Sequence, residues 1–585
     1  MNIYQSLVFE YINNNNFNNQ REIASKLNIS LGKVNQAFNT LIEAGYLFAD
    51  GTITESGQQL LIQSHPKNAV ILAAGYGLRM VPINTEIPKG LLEVNGEPLI
   101  ERIIKQLQEV GVSHIFVVVG YQKEKYEYLI DTFGVELVVN MDYSTKNNLH
   151  SLYKASAHLG NTYIVPCDLW CRNNPFSDTE LYSWYMVSDR MSINSSVKYA
   201  RQKTLISAPG NAEGNSMLGI SYLTQDAADY VKEHLNRCVH DHNYDNSFWE
   251  DTLFPQYKNI YGNLVSDQDV IEINTFEQLR SINHNPEQLN STALNIITET
   301  FHCSVTDISH IDTLKKGMTN RSFLFSVDGR RYIMRIPGEG TDLLINRQQE
   351  AAVYKALGQH AISDDVLYMN PENGYKITAF LQGARNCDPF NESDIALCMN
   401  KLKSFHSMAL KVDHSFDIFG QIEYYESLWK QNHSLYRDYE TTKKNVCTLK
   451  HYIDSMEKES VLTHIDAVPD NFLMIDSDAE IRLIDWEYSG MQDPHVDIAM
   501  FGIYSLYNKQ QMDHLIDVYF DNNCSNEARC KIYCYIAACG LLWSNWCEYK
   551  SHLGIEFGEY ALKQYRYAKD YYRYAVAEME NMKNE

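Results

Sequence analysis

At 585 residues, with 44% hydrophobic and 21% charged positions, the chain is too long for a single core and ordinary in composition for a globular protein. Its formal net charge of −24 argues against a broad electrostatic grip on nucleic acid or an anionic membrane and leaves room only for a local basic patch. The twelve cysteines form no C-x-x-C pair, the N-terminus lacks a leader-like pattern, and the apolar run around Ile532 to Trp543 is too short to span a bilayer, so the expectation is a cytoplasmic protein with reduced thiols.

Residues 1–64 read as small and helical. Val8, Tyr11 and Ile12 mark a first helix, Asn13 to Asn19 a polar break, Arg21 to Leu27 a second helix and Leu31 to Ala44 a third. A short hairpin through Gly51 and Ile53 follows. This order resembles a winged helix-turn-helix, whose third helix would read DNA. That helix carries one base, Lys33, and no arginine. Packing, dimerisation or ligand sensing is the reading favoured over DNA binding.

Residues 67–290 open on a strand, Asn68 to Leu72, and then the segment AAGYGLRMVPINTEIPKGLLEVNGEPLIE. Ala74, Gly75 and Gly77 allow the backbone to turn and approach a phosphate, and Arg79 and Lys89 supply positive charge for a triphosphate. Strand and helix then alternate through His114–Val119, a helix to Phe133 and Leu137–Asn140, which implies a Rossmann-like α/β sheet. The glycine-rich string resembles nucleotidyltransferases that join an NTP to a sugar phosphate or to phosphocholine. The later MDYSTKNNLHSLYKA resembles the phosphocholine cytidylyltransferase branch. There Asn147 and Asn148 either read base and ribose or cap a helix, and both roles are compatible. The resemblance implies that Asp168, at a strand's C-terminal end, binds Mg²⁺ with a second group in VIEINTF, where Glu272 matches and Asn274 replaces the usual aspartate. Trp249 with Glu250 is a candidate for a trimethylammonium group, which aromatic faces and a carboxylate hold best; core packing of Trp249 competes evenly.

Residues 291–585 carry the chain's other dense motif. His464, Asp466 and Asn471 form H-x-D-x-x-x-x-N, followed by a strand pair and Asp485. Phosphoryl transfer needs a carboxylate to orient the attacking hydroxyl, here Asp466, and an Asn and an Asp to hold Mg²⁺ on ATP, here Asn471 and Asp485. This stretch resembles the choline kinase and aminoglycoside phosphotransferase family, with a two-lobed protein-kinase-like fold. The resemblance places a phosphate-covering turn at 314–323, with the hydroxyls of Thr319 or Ser322. It also puts Arg335 in the phosphate-binding position and Glu350 as its ion-pair partner. Asp497 would brace the catalytic loop, and His406 is expected to pack rather than react. Trp543 and Trp546 share a helix face; with Trp486, Glu487 and Tyr488 they make a candidate aromatic box for choline, or else core.

The whole reads as a multidomain α/β and α+β protein: winged helix, Rossmann-like nucleotidyltransferase, kinase-like unit. The resemblances imply a bifunctional enzyme. ATP would phosphorylate choline, and CTP would then turn phosphocholine into CDP-choline, usable for decorating a surface glycan. The alternatives are the same steps on ethanolamine or another amino alcohol, a DNA-binding regulator with degenerate enzyme domains, or an aminoglycoside kinase. Mg²⁺ is the expected cofactor, ATP, CTP, choline and phosphocholine the expected partners, with no membrane partner and with homo-oligomerisation open.

Overall fold

The computed structural model describes the chain apart from residues 16, 78, 79, 84, 85, 194, 209–211, 255–259, 286–288, 290, 315–319, 339, 340, 342, 343, 359, 430–432, 476–479, 553–556 and 585, and the side chains of 202 and 584. The expected roles of Arg79 and Thr319 lie outside the described residues. The chain divides into two units, Met1–Thr298 with Ser304–Thr306, and Glu299–Cys303 with Asp307–Glu585.

In the first unit, helices Ile3–Asn14, Gln20–Lys26 and Leu31–Glu43 pack around Val8, Phe9, Ile23, Val34 and Leu41. Each starts at a side-chain cap, Asn2, Asn19 or Ser30, which satisfies backbone N–H groups that no helical carbonyl can reach. The wing is reduced to one bridge, Leu47 to Ile53. A further helix, Glu55–Gln63, falls where the sequence reading had none. Lys33, the one base of the third helix, hydrogen-bonds the Tyr4 hydroxyl and lies 4.1 Å over the Tyr4 ring.

The nucleotidyltransferase domain is built on a seven-stranded sheet in the order Tyr261–Val265, Trp184–Ser192, Gly214–Leu223, Thr162–Pro166, Asn68–Ala73, His114–Val119, Glu136–Val139. The last four are mutually parallel, as the alternation of strand and helix predicts. Gly214–Leu223 runs antiparallel to both its neighbours, so the sheet is mixed. Cores on its two faces bury Ile71, Val117 and Val165 on one side and Val70, Val118 and Ile164 on the other, which follows from the two-residue repeat of a strand.

The second unit has two lobes. One is a five-stranded antiparallel sheet, Ser309–Thr313, Asn320–Val327, Arg330–Pro337, Lys376–Ala379 and Val366–Met369 in spatial order, with the helix Arg347–Leu357. The other is helical, around Glu392–Ser407, His495–Tyr504 and the buried Asn526–His552. The helix Asn526–His552 packs along Glu559–Asn584. Among the described residues no helix is long and apolar enough to cross a membrane.

At Gly540 these two long helices approach each other closely. A Cβ there would come within 2.8 Å of the Gln564 carbonyl oxygen and 2.9 Å of the Ala568 nitrogen, both backbone atoms that cannot rotate away. Helix propensity alone would favour Gly540→Ala by about 1 kcal/mol, whereas overpacking costs about 1–3 kcal/mol. The expected result is therefore a loss of a few degrees in the second unit's thermal midpoint, measured by calorimetry; a gain would mean that the helices separate at little cost.

Candidate active sites

In the first unit a cavity of about 460 Å³ opens at the C-terminal ends of the strands Asn68–Ala73 and Thr162–Pro166, where α/β sheets bind ligands. Ala74, Gly75, Gly77, Lys89, Asn147, Asn148, Asp168 and Asn274 all line it. A Cβ on Gly75 would meet nothing within 4 Å, so this stretch of backbone is open to a ligand; Gly77, at φ +61°, makes the turn.

Lys89 sits in a short helical turn behind Pro88. Its Nζ lies 2.5 Å from Asp168 and 3.0 Å from Asn274 Oδ1. Strand pairing brings those two together. Leu169–Cys171 runs antiparallel to Val270–Glu272, and the Ile273 N–H donates to the Asp168 carbonyl at 2.9 Å. Asn274 is then fixed by Gln278, whose Oε1 accepts its N–H. Glu272 is half-buried and off the cavity wall.

Asp168 Oδ1 is buried with no hydrogen-bond partner. Such an oxygen beside an amide carbonyl suits Mg²⁺, which takes one or two protein ligands and leaves its remaining positions to phosphate and water.

Asn147 caps the helix Asn148–Lys154 and donates to the Asn246 carbonyl, while Asn148 Oδ1 accepts the Trp249 N–H. Both asparagines thus shape the wall and hold the next loop. Trp249 and Glu250 depart from the expected amine pocket. The Trp249 ring is 1% exposed and packs in the core near Tyr185, and Glu250 accepts the Tyr185 O–H at 2.9 Å. Burial pushes the Glu250 carboxyl up to about 7. The aromatic side chains on the cavity wall are Tyr76 and Tyr143, 5.1 Å apart, which sequence reasoning missed.

In the second unit a cavity of about 480 Å³ is lined by Ser322, Arg335, Asp466, Asn471, Asp485, Glu487, Tyr488, Trp543 and Trp546. The catalytic loop is held from beneath by Asp497. One oxygen accepts the Ile465 N–H at 2.8 Å; the other accepts the His464 N–H at 3.0 Å and meets His406 Nε2 at 2.9 Å. His406 is accordingly a packed bracing residue. Ile465 and Asp485 both take positive φ, 70° and 66°, conformations that persist only where the surroundings fix them. Asn471 spends its amide nitrogen on Asp466, bonding the carbonyl at 2.8 Å and Oδ2 at 3.1 Å, which leaves its own oxygen to serve a cation. Burial, with Asp485 and Glu487 nearby, pushes the Asp466 carboxyl well above the usual range. Burial also raises Asp485 against the pull of Arg335 and Lys376. A cleft of crowded carboxylates with an amide oxygen fits Mg²⁺ bound with ATP.

Arg335 stands opposite Ser322 and Lys376 in the sheet. Its guanidinium grips Glu350 at 2.5 and 2.8 Å and lies 3.6 Å from Asp485. Lys376, 5% exposed and on the cavity wall, is a second cation that sequence reasoning missed; its register beside Arg335 is the signal that would have found it.

The aromatic wall combines Tyr488, Trp543 and Trp546 with two residues missed from sequence, Tyr504 and Tyr560. Trp543 meets Trp546 edge to face at 5.6 Å and Tyr488 at 5.5 Å. Trp486 is not on this wall. It is fully buried under the loop, with its N–H on the Leu483 carbonyl and its ring against Phe405. Glu487 accepts from the Asn320 amide at 2.8 Å and lies 3.3 Å from Arg347.

Burial pushes the Glu350 carboxyl up, but Arg335, Lys376 and Arg347 outweigh it and bring it down to about 2. A depressed carboxyl stabilises the fold above its ordinary value near 4.5 and loses that contribution as pH falls toward 2. Glu350→Gln is expected to lower stability at neutral pH by about 3–5 kcal/mol, because it strands Arg335, and to flatten the acid limb between those pH values. Denaturant unfolding at a series of pH values reads both effects.

Comparison with known proteins gives three family matches in chain order: winged helix-turn-helix DNA-binding over residues 1–47, MobA-like NTP transferase domain over 69–179, and choline/ethanolamine kinase over 311–535. The chain is 28% identical over 222 residues to a choline-phosphate cytidylyltransferase of Streptococcus pneumoniae, covering 37% of this chain and 96% of that protein. It is 30% identical over 231 residues to a 2-aminoethylphosphonate cytidylyltransferase of Lancefieldella rimae, covering 37% of this chain and 92% of that protein. Among solved structures, choline kinase LicA from Streptococcus pneumoniae aligns with 48% of this chain and 99% of its own, at 28% identity and a TM-score of 0.43. The chain therefore belongs, through its middle domain, to the family of these cytidylyltransferases, as a member that joins a cytidylyltransferase domain to a choline kinase domain behind a winged helix.

Proposed function

We propose that the chain makes CDP-choline in two steps, phosphorylating choline with ATP and then transferring CMP from CTP to the phosphocholine. The observation that carries this reading is the meeting of Trp543, Trp546, Tyr488, Tyr504 and Tyr560 with Asp466 in one cavity. A quaternary ammonium donates no hydrogen bond, so aromatic faces with carboxylates nearby are its natural seat. Asp466 orients the choline hydroxyl toward the γ-phosphorus, and Arg335 and Lys376 meet phosphate charge. Asn471 and Asp485 would hold Mg²⁺ in the kinase, and Asp168 with Asn274 would hold it in the cytidylyltransferase. Bound Mg²⁺ neutralises phosphate oxygens as charge shifts to the leaving group.

In the first unit a phosphocholine oxygen attacks the α-phosphorus of CTP, and pyrophosphate leaves. Lys89 moves from its pairing with Asp168 onto the phosphates. Asn147 and Asn148 place base and ribose, and Gly75 admits the phosphates to the backbone. The regulator alternative has little support. Asp466, Asn471 and Asp485 converge in a formed cleft, and the lone base of the third helix is spent on Tyr4. A primary-amine substrate for the middle domain is the second reading; the 2-aminoethylphosphonate cytidylyltransferase favours it, and the tryptophan wall of the kinase opposes it.

Two separated activities follow. Asp466→Ala should cut ATP-dependent choline phosphorylation by about 10²–10⁴-fold, the usual worth of a positioned acid–base group, and leave cytidylyl transfer to supplied phosphocholine intact. Asp168→Ala should do the reverse. Loss of both activities in either folded variant contradicts the two-site reading. Trp543→Ala should raise the choline KM by about thirtyfold, from a desolvated cation–π contact of about 2 kcal/mol, with ATP affinity unchanged; an unaltered choline KM would put the amine elsewhere.

A further inference from the structure

A third cavity, of about 390 Å³, lies inside the first unit, between the first helix of the winged helix and the nucleotidyltransferase sheet. It shares no lining residue with either catalytic cavity. Glu10 and Tyr11 face it from the winged helix; Glu180, Tyr182, Trp184 and Lys203 face it from the other side.

Its charges are unusual. Glu180 is 9% exposed, yet its carboxylate is held only by neutral donors, the Tyr163 O–H at 2.7 Å and the Trp184 indole N–H at 2.8 Å. No salt bridge joins Glu10, Glu180 or Lys203 to any partner among the described residues. Lys203 lies near enough to influence both carboxyls electrostatically without bonding either. Burial pushes the carboxyls of Glu10 and Glu180 up, that of Glu180 to about 8, and pushes Lys203 down. A carboxyl raised in this way gives up its charge when nothing pairs with it, and a bound cation would restore it, so two carboxyl groups facing an open space without a bonded cation mark a place that a cation completes. The size is in the range of small-molecule sites. Three aromatic side chains, Tyr11 on one side and Tyr182 and Trp184 on the other, suit an alkylated ammonium better than a bare metal ion, which would want oxygen ligands on several sides.

We propose that this cavity binds a small organic ammonium ion, with Glu10 and Glu180 meeting its charge and Tyr11, Tyr182 and Trp184 its alkyl surface, so that the winged helix serves as a ligand-sensing domain on the nucleotidyltransferase. Lys203, on the same cavity, makes a phosphorylated ammonium the second source of that chemistry. A bound ligand ties the first helix to the sheet and stabilises their packing by mass action.

The test is calorimetric titration of the full chain with choline chloride in one arm and phosphocholine in the other, each repeated on Glu10→Gln and Tyr11→Ala. The site predicts one equivalent beyond those taken by the catalytic cavities in at least one arm. Either variant should weaken that equivalent at least tenfold, with the rates of kinase and cytidylyl transfer unchanged. Choline and phosphocholine arms that differ identify the source. The same stoichiometry and affinities in the parent and both variants, in both arms, overturn the proposal. Circular dichroism checks folding; if Tyr11→Ala fails it, the isosteric Glu10→Gln decides.

Discussion

Both catalytic clefts depend on the same physical device, a carboxylate held against a cation that substrate phosphates can claim. In the first unit Lys89 bridges Asp168 and Asn274. In the second Arg335 binds Glu350 with both nitrogens and faces Asp485. A lone buried charge costs several kcal/mol, and pairing makes the cleft tolerable before substrate arrives. The pairing also aims the groups. In the proposed reactions phosphate would exchange one electrostatic partner for another, so that little reorganisation is needed when charge develops.

The rest of the architecture serves these pairs. The parallel strands of the first unit deliver Gly75 and Asp168 to one edge, and the short pairing of Leu169–Cys171 with Val270–Glu272 adds Asn274 from about a hundred residues downstream. In the second unit Asp497 takes two successive backbone N–H groups and so fixes the loop that carries Asp466. A chain with net charge −24 thereby presents cations inward, at the points where the proposed function would seat polyphosphate.

What the sequence disclosed follows from what is local. Asp466, Asn471 and Asp485 lie on one loop and one hairpin, so their spacing alone carries their geometry. Trp543 and Trp546 share a helix face because they are three residues apart. Lys376, Tyr504 and Tyr560 reach the same cavity from separate elements, and nothing local marks them. Trp249 beside Glu250 and Trp486 beside Glu487 show the opposite case. Aromatic-plus-acid is the pattern of an amine box and equally of a core with one polar anchor, and in both places the indole went into the core. The helix Glu55–Gln63 was hidden by its glycine, although Thr54 caps it. The reversal of Gly214–Leu223 depends on sheet partners that strand-and-helix alternation does not encode.

The central claim is that one chain carries both steps, and product analysis of the purified protein tests it most directly. Mg²⁺, ATP, CTP and choline would be supplied together and then with each nucleotide omitted. The account predicts CDP-choline only when both nucleotides are present, and phosphocholine with ATP alone. Phosphocholine without CDP-choline in the complete mixture would contradict the second step, and no turnover of choline would contradict the first.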